Sequence, residues 1–162
     1  MTTRSTRPAD RGDAAAIAAI YNQGMADRTA TFETTERDEH AILAWLDLGY
    51  PIFVACGDDT VMAYAVAFPS SARPCYEGVR EFSVYVAREG RGQGFGALAM
   101  EALIADCTAR HWWKLMSRVF PENMASRRLL NRLGFREIGL HEKHAQLDGV
   151  WRDVLVVEKL LG

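Results

Sequence analysis

The chain has 162 residues, of which 49% are apolar and 25% charged, the size and composition of one globular domain that folds without disulfides or a structural metal. Its 19 Lys and Arg against 21 Asp and Glu give a net charge of -2, so neither nucleic acid nor a lipid surface is an expected partner. The longest apolar runs, such as Val61–Phe68, are far shorter than the roughly 20 residues that cross a bilayer.

The first part of the chain predicts a strand and two helices. Thr3–Arg7 is a short strand candidate, and a helix with apolar residues at helical spacing starts from Asp10 or Asp13. Asp38 has the residue type of an N-cap for a second, shorter helix, and Gly49 lies where that helix should stop.

The middle of the chain predicts three strands. Pro51–Cys56 and Val61–Phe68 are rich in β-forming residues and flank Gly57–Thr60, whose composition favours a tight turn. An antiparallel hairpin is therefore expected. After the loop Ser70–Pro74, Glu81–Val86 is the third strand.

The remaining elements alternate between helix and strand before a second hairpin. Gly96–Arg110 carries a helical apolar stripe, and Trp113–Phe120 follows as a strand, which completes a βαβ unit. Another helix ends at Gly134. Phe135–Lys143 and Val150–Leu160 then flank an Asp-Gly turn signal.

This order of elements predicts the fold class. Strands gathered around one βαβ unit, with helices before and between them, favour an α/β (mixed α+β) fold with a central mixed sheet and helices on both faces. No linker or repeat interrupts the chain, so residues 1–162 are expected to form one domain.

Cysteine and histidine usage points to a reduced compartment and no metal. Cys56, Cys75 and Cys107 are odd in number and scattered, and the first residues lack the apolar core of a secretory signal. A cytoplasmic protein is therefore expected. The four His residues do not have zinc-ligand spacing relative to the cysteines.

The glycine-rich segment Arg91–Gly96 lies where a strand gives way to a helix. Such a junction presents free N–H groups and the positive end of the helix dipole to an anion, and glycines allow positive φ angles there. The plainer interpretation is that the glycines only shape a turn. A dinucleotide-binding domain would place this turn after its first strand, and a Walker A loop would need a lysine and a hydroxyl that Gly96-Ala-Leu does not offer.

A second motif follows, in which Asn123-x-x-Ser126 precedes Gly134-Phe135. Together with the strand, the Arg-x-x-Gly-x-Gly turn and the helix, this set resembles the GNAT superfamily of N-acetyltransferases over nearly the whole chain. The resemblance implies a GNAT fold with a splayed sheet, and acetyl-CoA as cosubstrate.

The resemblance narrows to the phosphinothricin N-acetyltransferase branch, whose members acetylate the amino group of small amino acids and commonly form homodimers. The segments that carry it are Ala30–Thr34, Ala72–Tyr76, Glu81–Val86 and Asp148–Val154. Within that branch, Trp113–Asn123 and His144–Gly149 most resemble the arsinothricin-resistance N-acetyltransferases.

The resemblance also implies a set of cofactor-binding residues. The main chain of Val84, Tyr85 and Val86 would pair with the pantetheine arm, and Asn123 and Ser126 would contact it from the other side. The pyrophosphate would lie against Arg91, Gly92, Gln93, Gly94, Phe95, Gly96 and Ala97.

Acyl transfer to an amine needs a base, because an ammonium group has no lone pair with which to attack the thioester. Glu81 matches the glutamate proposed as base in this branch, acting directly or through one water. Its alternative role is an ion pair with Arg80 or Arg118.

The other catalytic groups follow from the same chemistry. The Val86 N–H is the expected donor to the oxygen that becomes negative. Many superfamily members have a tyrosine at the position of Leu130 that protonates the leaving thiolate; here water or Tyr85 would have to serve.

For the acceptor site, Arg73 is the expected cation for an anionic amino acid, and Phe32, Cys75 and Tyr76 are expected to wall the pocket. Two alternatives remain open. The amine could be a polyamine, an aminoglycoside or a protein N-terminus, or the chain could be an acyl-CoA-binding regulator without turnover, which Leu130 favours.

Overall fold

A computed structural model of the chain describes residues 2–162. Its strands are β1 Arg4–Pro8, β2 Ile52–Gly57, β3 Thr60–Pro69, β4 Val79–Val86, β5 Lys114–Val119, β6 Arg136–Leu147 and β7 Val150–Leu160. Its α-helices are α1 Ala14–Ala26, α2 Glu39–Asp47, α3 Phe95–Ala109 and α4 Met124–Arg132. Within these residues, no helix is long and apolar enough to span a membrane.

The strands form one seven-stranded sheet in the order β1-β2-β3-β4-β5-β7-β6. β4 and β5 pair in parallel, with α3 as their crossover, and every other neighbouring pair is antiparallel. The sheet is therefore mixed, which confirms the predicted fold class.

The helices cover both faces of the sheet. Successive side chains of a strand point to opposite faces, so each strand contributes to both layers of helix packing. On one face, α1 and α2 pack with Tyr64 and Val66 of β3. On the other, α3 and α4 bury Phe82 of β4 and the alanines of β3 that alternate with Tyr64 and Val66. Small side chains on that side let α3 lie close to the centre of the sheet.

Local residue chemistry explains the turns and helix ends. The two-residue turn between β2 and β3 places Asp58 and Asp59 at φ 48° and 67°, as a tight hairpin turn requires. Asp38 accepts a hydrogen bond from the Ala41 N–H at 3.2 Å and so caps α2. Gly49 follows α2 at φ 76°. These predictions are confirmed.

The last hairpin is longer than the sequence indicated. β6 continues to Leu147 rather than ending at Lys143, because a register shift between His141 and Ala145 absorbs extra residues. Lys143 takes φ 47° in this bulge, and its N–H is held by the Asp153 carboxylate at 2.9 Å. The pairing then resumes to the turn.

Candidate active site

The central feature of the molecule is the point at which β4 and β5 separate. Their parallel pairing covers Val79 to Glu81 on β4 and ends at the Glu81–Met116 pair. The next contact is between side chain and main chain, where Ser117 Oγ donates to the Phe82 carbonyl oxygen at 2.8 Å. Beyond it lies a small cavity of about 60 Å³, lined on its two sides by Val84 and Val119. The sheet is splayed, as predicted.

The separation leaves main-chain groups of β4 facing the gap. The Ala87 N–H donates to the Met62 carbonyl of β3 at 2.7 Å. Since alternate residues of an antiparallel strand direct their N–H and C=O groups to opposite sides, those of Val86 and Val84 point away from β3, into the gap. Arg91 Nε reaches the Val86 carbonyl from that side at 3.5 Å. Val84 and Val86 can therefore pair with an extended, amide-containing ligand. The main chain of Tyr85, which was predicted to do the same, faces β3 instead, because it lies on the same side of β4 as that of Ala87.

A larger cavity of about 700 Å³ continues from this gap to the start of α3. The sequence-predicted cofactor residues that line it are Val84, Tyr85, Val86, Arg91, Gly92, Gly94, Phe95, Gly96, Ala97, Asn123 and Ser126. Gln93 is the exception. Its side chain donates to the Glu89 carbonyl at 2.9 Å, and its own carbonyl accepts from Arg4 at 2.8 Å.

The glycine segment forms a tight turn at one end of this large cavity. Gly92 and Gly94 have φ angles of 77° and 86°, in the left-handed region that other residues rarely adopt. α3 follows, and its first backbone bond runs from Leu98 to Gly94 at 3.2 Å. The preceding N–H groups have no partner within the helix, which suits a bound phosphate.

Gly96 makes this turn compact. A β-carbon there would lie 3.1 Å from Val86 Cγ2 and 3.2 Å from Leu129 Cδ2, tighter than ordinary packing. Glycine therefore lets the first turn of α3 approach both β4 and α4.

Charged side chains surround the turn, and the sequence did not predict the ion pairs that Asp27 forms there. The Asp27 carboxylate binds Arg88 at 2.7 Å and Arg91 at 2.8 Å. Hydrogen bonds from Arg88, and then from Arg91, hold the pKa of Asp27 below its usual range. Arg91 is thus held near the turn, and Asp27 partly neutralises its positive charge. The cavity wall also includes three arginines that were not predicted: Arg128, Arg132 and Arg152.

Asn123 joins the two sides of the large cavity. Its Oδ1 accepts from the Ser126 N–H at 3.2 Å and caps α4, while its Nδ2 donates to the Thr29 carbonyl at 3.2 Å. Thr29 belongs to the connection between α1 and α2, and it lines the same cavity. Asn123 therefore tethers this connection to the start of α4.

Glu81 lies at the edge of the gap on β4. Its Oε1 is 3.4 Å from Arg118 Nη1, so the ion pair that the sequence left as an alternative is present. Glu81 lines neither cavity, but Ser83, two residues further on the same face, lines the small one, as does Arg118.

Two residues at the gap differ in their capacity to move a proton. Leu130 is buried at the small cavity and has no proton to give. Tyr85 lines both cavities and carries a hydroxyl proton, and burial raises the pKa of that hydroxyl above its ordinary value. Its ring fits against α1 only because residue 24 is glycine, where a β-carbon would lie 2.6 Å from Tyr85 Cδ1.

The predicted acceptor residues fall into two groups. Phe32 packs edge-on against Phe120 with ring centroids 4.9 Å apart, and Phe120 lines both cavities. Arg73, Cys75 and Tyr76 are exposed on the connection between β3 and β4 and line neither cavity. The Arg73 guanidinium lies 5.6 Å from the centre of the Tyr76 ring.

Among residues 2–162, no group of three or more His, Cys, Asp and Glu side chains is placed to hold an ion. The three cysteines are free, with Cys56 and Cys107 buried and Cys75 exposed.

Known proteins share both the sequence pattern and the fold. The model of the Acetyltransferase (GNAT) family matches residues 17–135. A phosphinothricin N-acetyltransferase of Alcaligenes faecalis is 33% identical over 92% of this chain and 78% of its own length. An L-methionine sulfoximine/L-methionine sulfone acetyltransferase of Pseudomonas paraeruginosa is 33% identical over 95% of this chain and 92% of its own.

A solved structure agrees with these relatives. The phosphinothricin acetyltransferase of Sinorhizobium meliloti, in complex with AcCoA, superposes with a TM-score of 0.92 at 28% identity, covering 99% of this chain and 89% of the other. The family match spans well over half of the chain and includes β4, the glycine turn and α4. The chain therefore belongs to the acetyltransferase (GNAT) family.

Proposed function

We propose that this protein transfers the acetyl group of acetyl-CoA to the α-amino group of a small amino acid of the phosphinothricin, methionine sulfoximine or arsinothricin type. The observation that carries the proposal is the continuity between the β4–β5 gap and the glycine turn. The gap offers the main chain of Val84 and Val86 to an extended arm, and the turn offers helix N–H groups to a diphosphate.

Coenzyme A has this combination of chemical groups, and the large cavity has a volume typical of small-molecule sites. Its pantetheine amides would pair with Val84 and Val86. Its diphosphate would bind N–H groups between Gly92 and Ala97, with Arg91 as a charged donor. The thioester would then lie close to the residues at which β4 and β5 separate.

Direct transfer of the acetyl group needs groups that move protons and a donor to the thioester oxygen, and the residues near the gap can provide them. Glu81 takes a proton from the ammonium through one water, and the neutral amine attacks the thioester carbonyl to form the C–N bond. The Val86 N–H donates to the oxygen that becomes negative. The C–S bond then breaks. The attacking nitrogen releases its second proton and the thiolate gains one, through water or the Tyr85 hydroxyl, because Leu130 has no proton to give.

The acceptor site is proposed at the small cavity and the surface beside it. Phe32 would form one wall through its contact with Phe120. Arg73, Cys75 and Tyr76 would act from the β3–β4 connection, with Arg73 binding a second anionic group of the acceptor. This requires the connection to approach the gap when the acceptor binds.

A homodimer is also proposed. β6 is a 12-residue edge strand that is exposed over nearly its whole length. Four large apolar side chains of β6 and β7 are 47% to 60% exposed: Ile138, Leu140, Val150 and Trp151. A second copy of the chain would cover the β6 edge and part of these side chains. Sedimentation equilibrium tests this, with a monomer at all concentrations as the contrary result.

A panel of amines tests the proposed acceptor class. Thiol release from acetyl-CoA is measured with phosphinothricin, methionine sulfoximine, arsinothricin, spermidine, an aminoglycoside and an N-terminal peptide. The proposal predicts the highest kcat/KM for an amino acid. A higher value for the polyamine or aminoglycoside would overturn it in favour of a cationic acceptor.

A further inference from the structure

Arg118 is the cation that forms an ion pair with Glu81, the proposed base. It follows Ser117 on β5, lines the small cavity, and has 49% of its side chain exposed. Its Nη1 contacts one oxygen of Glu81 at 3.4 Å, which is a long single contact. A guanidinium has five N–H donors in a planar fork, so most of its donors remain available to a second carboxylate.

The chemistry of the acceptor requires a cation at this place. In an amino acid, a single carbon separates the α-amine from the α-carboxylate. A base that takes a proton from the amine therefore has the acceptor's carboxylate close to its own negative charge. Without a cation between them, the two carboxylates would repel one another.

Two other arginines near the cavities have acidic partners of their own. Arg152 lies over the Phe120 ring at 4.2 Å and binds Glu122 at 3.2 Å. Arg28 binds Asp148 at 3.0 Å. Among the ion pairs of residues 2–162, Arg118 is the cation that contacts Glu81.

We infer that Arg118 binds the α-carboxylate of the acceptor and so presents the α-amine to Glu81. The inference rests on the proposed function and adds a specificity-determining residue to it. In the free protein, Arg118 holds Glu81 at the edge of the gap. When the acceptor binds, the fork of Arg118 takes its carboxylate as well, and Arg73 is left to serve a side-chain anion.

The test compares an amino acid with its own α-carboxamide, which keeps the amine and the side chain but removes the charge. The measured quantity is the ratio of kcat/KM for methionine sulfoximine to that for its α-carboxamide. It is determined for the wild type, Arg118→Gln and Arg118→Lys. The amide's amine differs in basicity, so the ratios are compared between enzymes, where that difference cancels.

Loss of a charge-assisted pair should lower the acid-to-amide ratio about 10- to 100-fold in Arg118→Gln. Arg118→Lys should lie between, since it keeps the charge and loses the fork. Arg11→Gln is the matched control, because Arg11 is an exposed arginine paired with Asp47 at 2.6 Å and lines neither cavity. Its ratio should equal that of the wild type.

Three results would overturn the assignment, and they are distinguishable. If the acid-to-amide ratio is unchanged in Arg118→Gln while acids are acetylated, only the role of Arg118 is wrong. The same holds if the wild type accepts acid and amide equally. If neither acceptor is acetylated although other amines are, the proposed function fails and this assignment falls with it. Acetyl-CoA affinity, measured by calorimetry, should be the same in all variants.

Discussion

Ser117 Oγ donates a 2.8 Å hydrogen bond to the Phe82 carbonyl one residue beyond the last paired residues of β4 and β5. Both residues are buried. The Ser117 hydroxyl replaces a main-chain N–H as the donor to the Phe82 carbonyl. The two strands stay joined up to this contact and separate beyond it. This contact marks the point at which the gap begins.

Replacing Ser117 with alanine should therefore affect both stability and ligand binding. The Phe82 carbonyl would lose its partner, which costs about 1 to 3 kcal/mol in a buried position. We expect a lower urea midpoint and weaker acetyl-CoA binding. Ser70→Ala is the control, since Ser70 donates to the Val79 carbonyl at 2.8 Å at the far end of β4. If both variants bind acetyl-CoA equally, the contact does not shape the gap.

Gly92→Ala should weaken acetyl-CoA binding through backbone strain. Gly92 has φ 77° and Gly49 has φ 76°, and a β-carbon would meet nothing within 4 Å at either site. Each alanine variant should lose about 1 kcal/mol of stability. Only Gly92→Ala should raise the acetyl-CoA Kd, by about tenfold, because its turn carries the N–H groups. An equal Kd for the two variants would show that the turn does not bind the diphosphate.

The Asp27 ion pairs predict a pH-dependent contribution to stability. The pKa of Asp27 is lowered from its ordinary value of 3.8 by Arg88 and Arg91, so the folded state favours the carboxylate. The stabilisation is complete above the ordinary pKa and is lost as the pH falls through the lower folded pKa. The Tm difference between wild type and Asp27→Asn should be constant from neutral pH to about pH 5 and narrow below about pH 4. A constant difference down to pH 2.5 would contradict this.

Glu81→Gln should separate catalysis from binding. A general base contributes about 100- to 10,000-fold to the rate, so kcat should fall by at least about 100-fold while the acetyl-CoA Kd stays the same. Glu101→Gln on the exposed surface of α3 provides the control. Undiminished kcat in Glu81→Gln would remove this residue from the mechanism.

Much of the fold was predictable because its signals are local. Asp38, Gly49 and the hairpin turns act through their own backbone angles and caps, so their residue types predict them directly. The end of β6 was missed because its bulge depends on Asp153 of the neighbouring strand, a contact that periodicity does not contain.

The candidate site divides in the same way. The glycine turn is continuous in sequence and was predicted almost completely, apart from the outward direction of Gln93. Asp27, which binds Arg91, and Arg152, which lines the large cavity, come from distant segments. No local pattern indicates that Asp27 binds Arg91, 64 residues away in sequence. The Glu81–Arg118 pair could be anticipated only as one of several alternatives.

The central claim is that acetyl-CoA bound in the large cavity transfers its acetyl group to an amine. Its most direct test measures, in one reaction with methionine sulfoximine, the CoA thiol released and the N-acetyl amino acid formed. The account predicts equal amounts of the two, increasing through many turnovers of the enzyme. Saturable acetyl-CoA binding with no thiol release above background, for this and every other amine, would contradict it and identify a protein that binds acyl-CoA without turnover.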